Sequence, residues 1–234
     1  TERFSLLQYV PTKNNRLHRN FCAAAKVGRA PWLLLLHSGM IVQPDFFDVL
    51  QQAVVEMKET AAFEARQLPL EQEHHIDPVT LECTDVSLNW VLVRRSAFVA
   101  AGGLDIRLVG QAVGTDFVLR LKAMGGQVVF LPEAVAVWVS GAQPMPEQSL
   151  AHYADVHEGK LLLAYKYDGC RGLWRAGKTY RDEMRQPRHF EGVRRELLKR
   201  YWRHFAKIWP IWLWRFAHAV QYRAAKPYLA AASW

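Results

Sequence analysis

The chain has 234 residues and a mass of 26.9 kDa, which suits one domain or a domain with an appendage. Half of the residues are hydrophobic and 22% are charged, which excludes disorder by composition and leaves enough apolar surface for a core. A net charge of +8 and a pI near 9.5 favour a polyanionic partner or an anionic surface but do not bear on fold.

In chain order, Phe4–Val10 reads as a strand and Asn14–Lys26 as an Ala-rich helix. Trp32–Leu36 is a short apolar run, the pattern of a strand covered on both faces as in a parallel sheet. It stops at His37-Ser38-Gly39. Pro44 and Asp45 then open a helix whose Phe46, Val49, Leu50, Ala53, Val54 and Met57 keep the 3.6-residue period. Asn89–Val93 reads as a strand, Arg95–Ala101 as a short helix ended by Gly102-Gly103, and Asp116–Met124 as a helix ended by Gly125-Gly126. Val128–Leu131 and Ala134–Val139 read as two strands separated by Pro132. Strands alternating with helices predict an α/β layered domain. Three scattered cysteines, Cys22, Cys83 and Cys170, exclude a disulfide framework and zinc-finger spacing. No apolar run approaches the ~18 residues that span a bilayer.

Charge divides the chain unevenly. Arg171 to Lys226 holds 15 Lys/Arg and 4 Asp/Glu, a balance of +11, against 15 and 18, or −3, elsewhere. Five of nine tryptophans lie in the same stretch. A body over 1–168 and a basic, Trp-rich helical arm over 169–234 are therefore expected. In the arm, Phe190, Val193, Leu197, Tyr201, Phe205, Ile208, Trp209 and Trp212 recur every three or four residues among Arg194, Arg195, Lys199, Arg200, Arg203 and Lys207. That is an amphipathic basic helix, broken near Pro210, and it suits an anionic membrane surface. The competing reading packs its apolar stripe on the body. No nucleic-acid module accompanies it, so no nucleic acid is expected.

The body also carries a resemblance. Arg19-Asn20, the Ala-rich helix, Trp32–Leu36 and Pro44-Asp45-Phe46 resemble the middle of a family 2 glycosyltransferase of the GT-A fold. Phe63–Glu71 and Asp77–Glu82 are similar to a loop of a bacterial cell-surface polysaccharide subgroup, and Val93–Phe98, Gly102-Gly103-Leu104-Asp105, Asp116–Leu121 and Pro132-Glu133-Ala134 follow in its order. The resemblance covers about Arg3 to Val139. It implies a GT-A-like, Rossmann-like layered domain whose first βαβ unit is expected outside this sequence. It further implies inverting transfer of a sugar from a nucleotide-diphosphate donor to a glycan or lipid-linked acceptor, in cytoplasm at the inner face of the cell membrane.

The same resemblance assigns residues. A divalent Mg or Mn ion would neutralise the leaving diphosphate, but the family's Asp-x-Asp position reads His37-Ser38-Gly39 here. These three become the donor-side candidates, with His37 either a metal ligand or a strand-end polar residue. The family's Glu-Asp-x-Asp falls on Val113-Gly114-Thr115-Asp116. Asp116 is then either the general base or a helix N-cap. Arg120, four residues on, is expected to pair with it structurally. Asn89 and Trp90 either narrow an acceptor pocket or simply pack, and Asp105 pairs locally beside the acceptor. His74 and His75 read as a solvated loop. The eroded carboxylates leave an alternative open, a catalytically degenerate GT-A domain that scaffolds or binds glycan.

Overall fold

The computed structural model of the chain describes residues 8–12, 17–69, 76–139, 150–183 and 208–213. Its elements are α1 (Leu17–Ala25), β1 (Trp32–Leu36), β2 (Met40–Val42), α2 (Phe46–Glu56), β3 (Thr60–Leu68), β4 (Trp90–Arg94), α3 (Arg95–Ala100), α4 (Ala112–Ala123), β5 (Gln127–Trp138) and α5 (Leu150–Glu183). The five strands form one sheet in the order β1-β4-β3-β5-β2. The β3–β5 pairing is parallel and the other pairings are antiparallel.

The pleat sorts side chains between two apolar layers. Ala62, Val91, Val93 and Val128 face the helical side, with Phe98 of α3, Val113, Phe117 and Leu121 of α4, and Leu162, Leu163 and Tyr167 of α5. Phe63, Trp90, Leu92, Val129 and Leu131 face the opposite layer, where Phe46, Leu50 and Ala53 of α2 cover them. The result is a mixed α/β domain with helices on both faces of its sheet.

Several expectations are corrected. Trp32–Leu36 is a strand, but it is an antiparallel edge strand rather than a parallel internal one. Residues 63–68, matched to a loop by resemblance, belong to β3, the middle strand. The two strands around Pro132 are one. Leu131 pairs with Ala65 and Val135 with Arg66, so the intervening residues bulge from the ladder and Pro132 has no bond to donate there. Helix α4 begins at Ala112, four residues before Asp116, so Asp116 is not its cap. Of Phe4–Val10, residues 8–10 are not in a strand and the rest lie outside the described residues, as do His74 and His75.

The expected boundary at 168 falls inside α5, next to a break at Gly169 (φ 64°, ψ −146°). Leu161, Leu162, Leu163, Tyr165, Lys166 and Tyr167 before the break are buried, whereas Trp174 beyond it is 70% exposed. Among the described residues, no helix is long and apolar enough to cross a membrane.

Candidate functional site

The pairings run β1, β3 and β5 in one direction and β4 in the other. The carboxyl ends of three strands therefore meet the amino end of β4 at one edge of the sheet, where open α/β sheets take ligands. Polar residues gather there. The His37 amide donates to the Asn89 carbonyl at 2.7 Å, joining the end of β1 to the start of β4. Asn89 Nδ2 donates to Gln67 Oε1 at 3.0 Å, and the Asn89 amide donates to Ser87 Oγ at 3.1 Å. The Ser87 amide donates to Glu64 Oε1 at 2.9 Å, and Gln67 Nε2 reaches the same oxygen at 3.4 Å. Gln111 Nε2 fixes the start of this loop through Asp85 Oδ2 at 2.7 Å.

His37 is half-buried, and its ring lies 5.0 Å from that of Trp138 at the end of β5. Its Nδ1 accepts the Gly39 amide at 3.0 Å, so a neutral ring carries its proton on Nε2. A metal bond through Nε2 would move that proton to Nδ1, against the Gly39 N–H. Among the described residues, no group of three or more His, Cys, Asp and Glu side chains could hold a metal. The described residues therefore supply no ligand set for the implied Mg or Mn ion, and the contact of His37 Nδ1 is with the Gly39 amide. Ser38 is exposed beside it. Of the two acceptor-side candidates at the start of β4, Asn89 joins the polar cluster, whereas Trp90 is wholly buried and packs edge-on to Phe46 at 5.0 Å.

Glu64 is also wholly buried. Burial pushes its carboxyl well above the usual range, partly offset by the Ser87 amide and reinforced by the Asp85 charge. A folded value above the unfolded one means that Glu64 favours the fold most at low pH and loses that contribution as pH rises through the folded value. Glu64→Gln, which keeps an acceptor for Ser87, should remove this dependence. Urea denaturation from about pH 5 upward should show wild type losing up to about 1.4 kcal/mol per pH unit relative to the variant for as long as the folded carboxyl keeps its proton.

Asp105 and Asp116 lie in a second cluster under α5. Arg107 clasps Asp105 locally, as expected, with Nε to Oδ1 and Nη2 to Oδ2 both at 2.6 Å. Lys166 Nζ donates to Asp105 Oδ2 at 2.6 Å. Burial alone would raise the Asp105 carboxyl, but Arg107 and Lys166 overcome this and hold it well below the ordinary carboxylate range. Arg120 pairs with Asp116 as expected from their i,i+4 spacing, through Nε at 2.9 Å and Nη2 at 2.8 Å, and its Nη1 holds the Gly103 carbonyl at 2.7 Å. Tyr167 Oη donates to Asp116 Oδ1 at 2.8 Å, and the Lys166 ammonium contacts the same oxygen. Burial depresses the Lys166 ammonium, with Asp116 and Asp105 opposing the shift.

A carboxylate offers about four lone-pair positions. Arg120 Nε and Tyr167 Oη hydrogen-bond to the Asp116 carboxylate, Arg120 Nη2 and the Lys166 ammonium lie in ion-pair contact with it, and Asp116 has no solvent-exposed surface. No acceptor hydroxyl can reach it in this arrangement. The two positions matched to the family's other carboxylates are closed as well. Val113 is wholly buried in the core, and a Cβ at Gly114 would lie 2.0 Å from the Val86 carbonyl oxygen. The 85–89 loop therefore fills the space a carboxylate on residue 114 would need.

Sequence reasoning missed Lys166 and Tyr167, which lie beyond the resemblance. A signal was present: Lys166 interrupts the run Leu161-Leu162-Leu163-Ala164-Tyr165-Lys166-Tyr167, and a lysine inside a buried apolar stretch needs an anionic partner. Glu64 and Gln67 were hidden by the reading of β3 as a loop.

No protein-family model matches the chain, and no curated protein does. Among solved structures it is similar to the mannosyltransferase PcManGT from Pyrobaculum calidifontis in complex with GDP-Man and Mn2+, at 11% identity, over 95% of this chain and 69% of that chain, with a TM-score of 0.47. So loose an overlap leaves the site to be read from its own residues.

Proposed function

We propose that the chain is a glycosyltransferase-type domain of the GT-A kind that holds a sugar-bearing ligand at the carboxyl ends of β1, β3 and β5 but has lost the transfer chemistry. The observation that carries this reading is the closure of all three carboxylate positions: Val113 in the core, Gly114 against the Val86 carbonyl, and Asp116 inside its ring of donors. Inverting transfer needs a carboxylate within hydrogen-bond reach of the acceptor hydroxyl. The Asn89 amide, the His37 imidazole and the Ser38 hydroxyl are polar groups suited to sugar hydroxyls, with the buried Gln67 positioning Asn89. On this reading the ligand is a glycan or a nucleotide-diphosphate sugar, the body is 1–168, and the basic 169–234 segment rests on the inner face of the cell membrane during cell-surface polysaccharide assembly.

A second reading keeps the activity, with family 2 inverting transfer to a glycan or lipid-linked hydroxyl and Asp116 as base. Its support is that Lys166 and Tyr167, two of the groups covering Asp116, come from one helix, so a shift of α5 would bare the carboxylate.

Calorimetry with UDP- and GDP-hexoses and with oligosaccharides, paired with a labelled-sugar transfer assay on the same full chain, separates the two. The first reading expects binding that is equal with and without Mn2+, about tenfold weaker in Asn89→Ala for the lost polar side chain, and no turnover. Transfer above the protein-free background would sink it in favour of the second. Absence of binding to every sugar probe would sink both.

A further inference from the structure

The helical turn over 208–213 carries two apolar faces. Ile211 is wholly buried in the main core and Ile208 packs against that core. The Pro210 carbonyl accepts Arg107 Nη1 at 3.3 Å, which ties the turn to the loop that holds Asp105. Trp209, Trp212 and Leu213 recur at i, i+3 and i+4 and point the other way, at 62%, 46% and 49% exposure. The two indoles stack with centroids 5.1 Å apart and planes 19° from parallel. A helix that is apolar all round needs an apolar covering on each side. The body covers one side of this turn.

We infer that 208–213 is a membrane-seating turn: Ile208 and Ile211 fasten it to the body, and Trp209, Trp212 and Leu213 enter the interface of an anionic bilayer. The sequence around it chooses the occupant, because the turn lies within the stretch of 15 Lys/Arg and 4 Asp/Glu. Such a stretch is drawn to anionic headgroups, and indoles favour the headgroup level. A neutral protein or glycan surface would not use that charge. Because the turn is fastened at Arg107, the lipid surface lies against the face that carries the 104–109 loop. A free amphipathic tail would set no such orientation. The inference rests on the membrane reading of the basic segment and is independent of what the strand-end cluster binds.

Co-sedimentation of the full chain with phosphatidylcholine vesicles, with and without phosphatidylglycerol, tests it. Wild type should bind only the anionic vesicles. Trp209→Ala with Trp212→Ala should weaken that partitioning about tenfold or more, because two half-exposed indoles lose interfacial burial. The melting temperature should hold, since neither ring is in the core. Vesicle binding should also protect amides 104–109 from hydrogen exchange, and Ile211→Ala should abolish that protection while binding persists. Unchanged partitioning of the double variant overturns the inference. So does a wild type that ignores anionic vesicles but binds soluble oligosaccharide, which would make the indole pair a glycan platform, and so does protection of 104–109 that survives Ile211→Ala. Sugar titrations run without lipid, so failure of the proposed function is read separately.

Discussion

Gly114→Ala should cost about 3 kcal/mol or more of folding stability. On propensity alone the change would stabilise α4, since alanine exceeds glycine in a helix interior by about 1 kcal/mol. The local packing reverses the sign. The new Cβ would lie 2.0 Å from the Val86 oxygen and 3.1 Å from its carbon, whereas carbon and oxygen in contact sit roughly 3.3–3.6 Å apart. The obstacle is backbone, so no side-chain rotamer relieves it. Either α4 shifts in the core or the 85–89 loop moves by more than about an ångström, straining the Ser87–Glu64 and Gln111–Asp85 hydrogen bonds. Overpacking costs up to about 3 kcal/mol, and buried hydrogen bonds add to it. Chemical denaturation measures the outcome. A variant as stable as wild type would mean that the loop is not seated on α4, and the strongest reason for regarding the carboxylate positions as closed would go with it. The same geometry predicts that Gly114→Asp, which writes a family carboxylate back into the sequence, destabilises the fold rather than creating a base.

What the sequence reveals and what it conceals follow from where each signal resides. Trp32–Leu36, the helix after Asp45, and the Trp90–Arg94 strand leading into Arg95–Ala100 all lie close to their expected bounds, because apolar runs and glycine stops are local. The middle strand β3 escaped because Glu64, Arg66 and Gln67 break its apolar pattern. Glu64 and Gln67 are nonetheless buried, for they supply partners at the strand's carboxyl end. Such polar residues become intelligible only once β4 and the 85–89 loop are in place. Helix α4 was read too short because Val113, Gly114 and Thr115 are weak helix formers. Burial against Val86 and the main core selects that first turn, a tertiary effect with no local trace. The resemblance placed Asp116 correctly in the order of motifs, but its role depends on Lys166 and Tyr167, some fifty residues away.

That dependence leads to a second large effect. Asp116→Asn should destabilise the protein by about 3–5 kcal/mol, the range for breaking a buried ion pair from one side. As a helix cap, Asp116 would tolerate asparagine; as a solvent-facing base, its loss would leave stability nearly untouched. Inside the observed cluster, Asp105 and Asp116 face Arg107, Arg120 and Lys166. Two anions against three cations leave +1, and removing Asp116 leaves +2 in a cluster that is buried apart from Arg107. Arg120 and the wholly buried Lys166 would then share Asp105 as the remaining carboxylate, which Arg107 already clasps from both oxygens. Lys166→Met alone should cost less, about 2–3 kcal/mol. It removes a charge-assisted hydrogen bond to Asp105 and an ion-pair contact with Asp116 but also the burial of an ammonium that its surroundings already disfavour, and each carboxylate keeps an arginine. The double variant Asp116→Asn with Lys166→Met should therefore be more stable than Asp116→Asn alone, because the second change removes the cation that the first left short of a partner. Urea denaturation of the four proteins at pH 7 closes the cycle. Additive losses would mean that Lys166 and Asp116 do not share a charge balance. If Asp116→Asn melted with wild type, the ring of donors around Asp116 would not exist in solution, and the carboxylate would be free to act as a base.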